Sequence, residues 1–262
     1  MKAMTLADIP NYQHPAFPQP TNRNALIWRY MAIEKFEWLV SERRLFMARA
    51  DLLGDDHEGT TPPAELAMWR TLAEQATDEA QRRAIEHNSA ELSEYAQVFR
   101  QHFYVSCWHM APDENVAMWD RYVKTPDSVA IKTSYSTLRG QLQRMIVELG
   151  VVRYIDYDRQ PLPSENMLQR ITHRRHFFAD EREVRAVVCA MVQGEIRHKY
   201  IDPFLTTDGF GFTPPVDPQH LIQGIVLHPG ASPAFRARLS ELCVLNGLPE
   251  PELSRLARKP VF

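Results

Sequence analysis

Cysteine is scarce. Three thiols, Cys107, Cys189 and Cys243, are spread over 262 residues. An odd number at wide spacing excludes a disulfide framework, and the lack of any C-x-x-C leaves no zinc knuckle. Reduced thiols of this kind fit a cytoplasmic protein. A surplus of positive charge is also missing: 30 Lys and Arg stand against 33 Asp and Glu, for a net charge of -3. The chain as a whole therefore does not advertise nucleic acid, although a local basic patch stays open. Long apolar runs are absent. The longest, Ala186–Val192, is too short to span a bilayer, and MKAMTLADIPNYQHP has no apolar stretch of signal-peptide type. No G-x-G-x-x-G, G-x-x-x-x-G-K-[ST], H-E-x-x-H or G-x-S-x-G occurs, so the familiar fingerprints of Rossmann, P-loop, zincin and α/β-hydrolase sites are not on offer. What remains is an ordinary globular composition, 44% hydrophobic and 24% charged, of a length that fits one large domain.

The pattern along the chain is irregular. Residues 1–22, with Pro10, Pro15, Pro18 and Pro20, read as an extended arm ahead of a single α+β domain over 23–262. ALIWRYM (25–31), RLFMARA (44–50), FYVSCW (103–108), SVAIKT (128–133), VVRYIDY (151–157), EVRAVVCAMV (183–192) and LIQGIVLHP (221–229) read as strands. Helical spacing marks 32–43, 138–149, 165–178 and 235–246, the last with Gly247 just beyond its end, and Asp113 is placed to cap a helix carrying Met118, Trp119 and Tyr122. Residues 62–101, rich in Ala, Glu, Gln and Arg, read as a helical insertion of two helices with a break near Thr77–Asp78. Strands separated by short connections, with one long helical insert, predict α+β: a central mixed sheet flanked by helices.

Several short clusters carry weaker chemistry. His173 and His176 form H-x-x-H on an expected helix, and a surface or capping role outweighs metal binding for want of a third ligand. Cys107 and His109, two apart on a strand, share a face and so present a Cys–His pair, against the simpler reading of a buried thiol. Asp51, Asp55 and Glu58 in an acidic loop suggest a metal-dependent nuclease, and the competing reading is a solvated loop; no metal is predicted.

One constellation is sharper. Arg29 sits between aromatic residues in a strand, Ser134 and Ser136 follow another strand, and Glu181 and Glu183 open the strongest one as E-R-E. A buried arginine needs an anion. By the period of two, Glu181 and Glu183 point the same way into one cleft. The plainer reading is a tie in which Arg29 bridges Glu183, Ser134 caps a helix, and E-R-E is a charged edge. In that case the protein is a non-catalytic interaction or sensor module.

The order Arg, Ser-x-Ser, Glu-x-Glu resembles the pattern of ADP-ribosyltransferases that use NAD. The resemblance implies that Arg29 holds the NAD phosphates and that Ser134 and Ser136 brace the nicotinamide side. It implies that Glu183 stabilises an oxocarbenium-like ribose and that Glu181 orients the acceptor, a protein or a nucleic acid. Tyr30, Trp119 and Tyr122 would shape the pocket, with an aromatic ring stacking on the ligand. A broader resemblance runs through WRYM, RLFMARADLLGDDHEG, FYVSCWHMAPDENVAMWDRY, HFFADEREVRAV and IQGIVLHPG. These look like the bacterial domain-of-unknown-function 2971 family, with Arg29, Tyr30, Asp55, Glu58, Met118, Trp119, Tyr122, Glu181, Glu183 and Arg185 at matching positions. Gly54, Asp56 and Phe178 depart from that family's pattern. This second resemblance implies a bacterial cytoplasmic protein with a role in phage defence or a toxin-like system, and no membrane partner.

Overall fold

The computed structural model describes residues 14–163 and 166–257. Residues 1–13 of the expected arm and Glu165 of the expected helix lie outside the described residues. In chain order the elements are β1 (Leu26–Ala32), α1 (Ile33–Glu42), β2 (Met47–Arg49), α2 (Pro63–Glu74), α3 (Glu79–Phe99), β3 (Phe103–Met110), α4 (Val116–Tyr122), β4 (Ser128–Ser134), α5 (Tyr135–Leu142), β5 (Glu148–Val151), β6 (Arg153–Ile155), α6 (Gln169–Thr172), β7 (His173–Arg175), β8 (Glu183–Cys189), α7 (Gly194–Tyr200), β9 (Gly211–Phe212), α8 (Pro218–Leu221), β10 (Gly224–Leu227) and α9 (Pro233–Leu245).

Eight strands form one sheet in an α+β fold. Its backbone runs β10-β4-β1-β3-β2-β9, and β8 pairs with both β3 and β5. Every ladder in it is antiparallel, so the expected mixed sheet is corrected. Parallel pairing of strands is confined to the separate β6–β7 ribbon. None of the described helices is long and apolar enough to cross a membrane.

Strand alternation sorts the core. Ile27 and Met31 of β1, Trp108 of β3, Val129 and Ile131 of β4, Val184 and Ala186 of β8, and Ile225 of β10 face one side. There they pack against Phe36 and Leu39 of α1, Leu138 of α5 and Leu239 of α9. The intervening residues face the other side, where the apolar packing is split. Phe103, Val105 and Val187 join Phe17 at one end. Trp28, Tyr30, Ala130 and Val226 join Met118 and Trp119 of α4 at the other. Between these clusters the same strand faces carry Cys107, His109, Glu183 and Arg185. The centre of this face is polar where the register would place apolar side chains.

β3 is shared unevenly along one edge. β1 pairs with it at His109 and Met110, and β2 pairs with it at Tyr104 and Val105. Among the described residues, 106–108 have no strand partner on that edge, and the sheet is split there.

Local chemistry explains most element ends. Asp78 caps α3 by accepting from the Gln81 N–H at 2.8 Å, at the break expected near Thr77–Asp78. Asn115, not Asp113, caps α4. Gly247 follows α9 with φ of +65°, a left-handed turn that glycine adopts at little cost. The expected helix over 165–178 is reduced to α6, because β7 and a 3-10 turn over His176–Glu181 follow it directly. His173 and His176 are thus not on one helix face. The expected 138–149 helix moves to α5 and is followed by β5. The α2–α3 hairpin is largely exposed; its base is fixed by buried Glu65, which takes a hydrogen bond from Arg170 at 2.8 Å.

Residues 16 and 17 of the arm pack into the smaller core cluster. There β5 passes so close that a Cβ on Gly150 would lie 2.7 Å from the Phe17 backbone. Gly150→Ala is expected to cost about 1–3 kcal/mol, read as a lower urea midpoint with unchanged slope. Wild-type stability in this variant would show that the arm does not pack there.

Candidate functional site

The polar centre is a dense ion network. Glu183 opens β8, and Arg185, two residues on, grips it with Nε–Oε1 at 2.8 Å and Nη2–Oε2 at 2.9 Å. Arg174 of β7 adds Nη1–Oε2 at 3.1 Å. Arg174 also donates to Glu181 at 2.5 Å, and its guanidinium carbon lies over Phe178, 4.0 Å from the ring centre. Glu181 further accepts from Arg121 Nη1 at 2.7 Å and from the Tyr122 hydroxyl at 2.5 Å, both on α4. Glu58 touches Arg185 as an ion pair without good hydrogen-bond alignment, and Arg185 spends another donor on the Ile171 carbonyl at 2.8 Å. Glu58, Glu181, Glu183 and Arg185 are each at most 2% exposed.

Three carboxylates face three guanidinia, so the network is close to neutral as a whole. Burial alone pushes the Glu183 carboxyl up, but Arg185 and Arg174 outweigh it and hold the group below its ordinary range. Glu58 ends above its ordinary range, because burial and the charge of Glu183 overcome the attraction of Arg185. Burial, then the charge of Glu183, pushes the Cys107 thiol up.

A cavity of about 830 Å³ opens over this floor. It occupies the split between β1 and β3, under α1 and the segment after β2. Arg29, Trp38, Phe46, Trp108, His109 and Tyr122 are among its walls. Its size falls in the range of roughly 300–1,000 Å³ typical of small-molecule sites. By alternation Arg29 belongs to the sheet face opposite Glu183, since Trp28, His109 and Glu183 are cross-strand partners. The split brings both residues to one hollow. Arg29 is half-buried and donates from Nη2 to the Phe46 carbonyl at 2.9 Å, with its guanidinium 5.8 Å from the Trp108 ring centre. Among the described residues it meets no carboxylate within 4.0 Å. Burial lowers its pKa to about 10, which leaves it charged at neutral pH.

Arg29, Tyr30, Tyr122, Glu181 and Glu183 therefore line one cavity. Glu181 is brought there by another route than strand alternation. It ends a 3-10 turn, and Arg182 takes a left-handed φ of 41° that aims both glutamates inward.

Other expected residues lie elsewhere. Ser134 is the N-cap of α5, accepting from the Thr137 N–H at 3.1 Å, and Ser136 donates to Asn24 at 2.9 Å. Neither lines the cavity, because a serine where a strand turns into a helix satisfies the helix terminus first. Trp119 is packed behind Tyr30, edge-on at 4.9 Å, with its indole N–H on Glu114. The acidic loop does not converge: Asp51 pairs with Arg49, Asp55 with Arg175, and Glu58 joins the network. No group of three or more metal-ligating side chains is gathered among the described residues. Cys107 and His109 share a face and both line the cavity, but not as a pair. Cys107 is the cross-strand partner of Arg185, and His109 Nδ1 lies 2.6 Å from the Glu181 carbonyl. Arg174, hidden in HRRHFF, and Arg121 of α4 are network residues missed in the sequence, as are the cavity walls Trp38 and Phe46.

Glu183→Gln removes one charge and leaves Arg185 buried beside an uncharged partner. A loss of about 3–5 kcal/mol is expected at neutral pH by urea unfolding. Because the folded pKa of Glu183 is depressed, its contribution is complete above the unfolded value of roughly 4.3 and is lost as pH falls below it. The gap between variant and wild type should therefore narrow below that pH. A gap independent of pH would show that the charge of Glu183 does not stabilise the fold.

Comparison of the chain with family models, with curated proteins and with solved structures finds no match.

Proposed function

We propose that this protein is an NAD-using, ADP-ribosyltransferase-like enzyme whose substrate occupies the cavity between Arg29 and Glu183. The observation that carries the reading is the state of Arg29. Its guanidinium faces a cavity of about 830 Å³ with no carboxylate partner among the described residues. A tie between strands would have closed Arg29 onto Glu183; instead, Glu183 is satisfied by Arg185 and Arg174. An uncompensated guanidinium in a concave site calls for an anion, and the pyrophosphate of a dinucleotide supplies one. The walls at Trp38 and Phe46 suit a flat ring. The carboxylates of Glu181 and Glu183 suit the ribose, where positive charge develops as the C–N glycosidic bond breaks. Nicotinamide leaves with the bonding electron pair, the acceptor forms the new bond to the same carbon, and the acceptor's proton is released. The acceptor is a protein or nucleic-acid group.

A second reading has its own support. The floor is neutralised guanidinium by carboxylate, which weakens its pull on a developing cation and suits a sensor that binds such a ligand without turnover.

The test is a thermal shift with NAD together with chromatography for free nicotinamide. Binding with release supports the enzyme, binding without release supports the sensor, and neither at millimolar NAD overturns both. Arg29→Met is expected to weaken NAD binding by about tenfold or more, as for loss of a hydrogen bond to a charged group. The unliganded variant should stay within about 1 kcal/mol of wild-type stability, because an uncompensated charge is being replaced by an apolar chain.

A further inference from the structure

The cavity has walls on both faces of the sheet. Ile27 and Met31 of β1 point to the α1 side, so Arg29 between them does too, and Trp38 of α1 stands there with it. Trp28 and Tyr30 point to the opposite side, where they pack with Met118 of α4, and Tyr122 of the same helix joins them in the cavity wall. Each face has an outlet. Phe46, edge-on to Trp38 with ring centres 6.0 Å apart, is 38% exposed on the first face, and Tyr122 is 44% exposed on the second.

The way between them is a gap in the backbone ladder. Trp28 pairs with His109 and Ala48 with Val105, so Tyr30 and Phe46 are both in register with Cys107. Among the described residues neither pairs with it. Odd-numbered residues here turn their N–H and C=O to this edge, as Ala111 does just past β3 in donating to the Leu26 carbonyl. The backbone groups of half-buried Cys107 therefore face the gap. The Phe46 carbonyl, which would close the next rung from the β2 side, accepts from Arg29 Nη2 instead. Residues 106–108 span roughly 10 Å of strand at the usual rise per residue, which is the length of the gap along β3.

We infer that the cavity is a passage through the sheet and that the dinucleotide threads it, with its adenosine and pyrophosphate on the α1 face and its nicotinamide riboside on the α4 face. The inference rests on the NAD reading above and gives that ligand a direction. Arg29, which meets no carboxylate among the described residues, lies on the α1 face beside Trp38 and Phe46. Glu181, held by the Tyr122 hydroxyl, and Glu183 lie on the α4 face. A ligand confined to one face meets only one of these two sets. The acceptor, a protein or nucleic-acid group, then reaches the ribose from the α4 outlet and does not compete with the adenosine end of the donor.

The two halves of the ligand give the test. ADP and nicotinamide are titrated separately into the isotope-labelled full chain, and the backbone amide signals of α1 and α4 are followed by NMR. ADP is expected to shift the signals of Lys35 and Trp38 and to leave those of Met118 and Tyr122 in place, and nicotinamide to do the reverse. Saturation with one half is expected to leave the affinity for the other unchanged within about twofold, a coupling near zero. Trp38→Ala is expected to weaken ADP binding about tenfold, as for loss of a stacked base, with nicotinamide binding as in wild type. Both halves shifting the same helix, or competing for one place, while NAD still binds, overturns the threading and leaves the NAD reading standing. Failure of NAD and of both halves to shift any signal at millimolar concentration overturns both.

Discussion

A guanidinium cannot sit in the middle of a buried strand unless its charge is matched in place. Arg185, 1% exposed in β8, makes that demand, and the surrounding structure answers it. Glu183 comes from the same strand, Glu58 from the loop before α2, and the Ile171 carbonyl from α6. Arg174 then has to be balanced against the accumulated carboxylates, and Glu181 draws in α4 through Arg121 and Tyr122. Three stretches remote in sequence, the loop at Glu58, α4 and the run from α6 to β8, are thus fixed relative to one another by one requirement, that no buried charge be left alone. The network divides the apolar packing on its side of the sheet in two and forms the floor of the cavity.

Above that floor the rule is relaxed at two points. Among the described residues, Arg29 has only a carbonyl and an aromatic face for company, and His109 has one nitrogen without a hydrogen-bond partner. The split of the sheet makes them part of one hollow, for without it Arg29 would face the apolar core and Glu183 the opposite side.

Much of this was legible in the amino-acid order, for reasons that can be named. Arg29 and Glu183 stand out because they interrupt apolar strands, and β8 itself is a dense β-rich run. The two helices of the insertion and the end of α9 carry their own caps and turn residues, so local chemistry suffices to find them. Sheet order was less accessible: β3 and β8 pair residues about eighty positions apart, and nothing local encodes that choice. The helix expected at 165–178 failed because tertiary contacts override propensity. Arg174 reaches the network from an extended strand, and Arg182 turns left-handed to bring Glu181 to it. Ser134 and Ser136 looked like pocket residues only because a serine motif after a strand has two uses, and helix capping is the commoner. Arg174 went unrecognised because in HRRHFF the histidines draw attention first.

The long α2–α3 hairpin stands away from the cavity, yet its attachment reaches toward it. Buried Glu65 at the foot of α2 holds Arg170, and only three residues separate Arg170 from Arg174. Those residues run through the last turn of α6 into a paired strand, a stretch with little slack. The exposed hairpin is therefore tied to the floor of the hollow through one short stretch of chain.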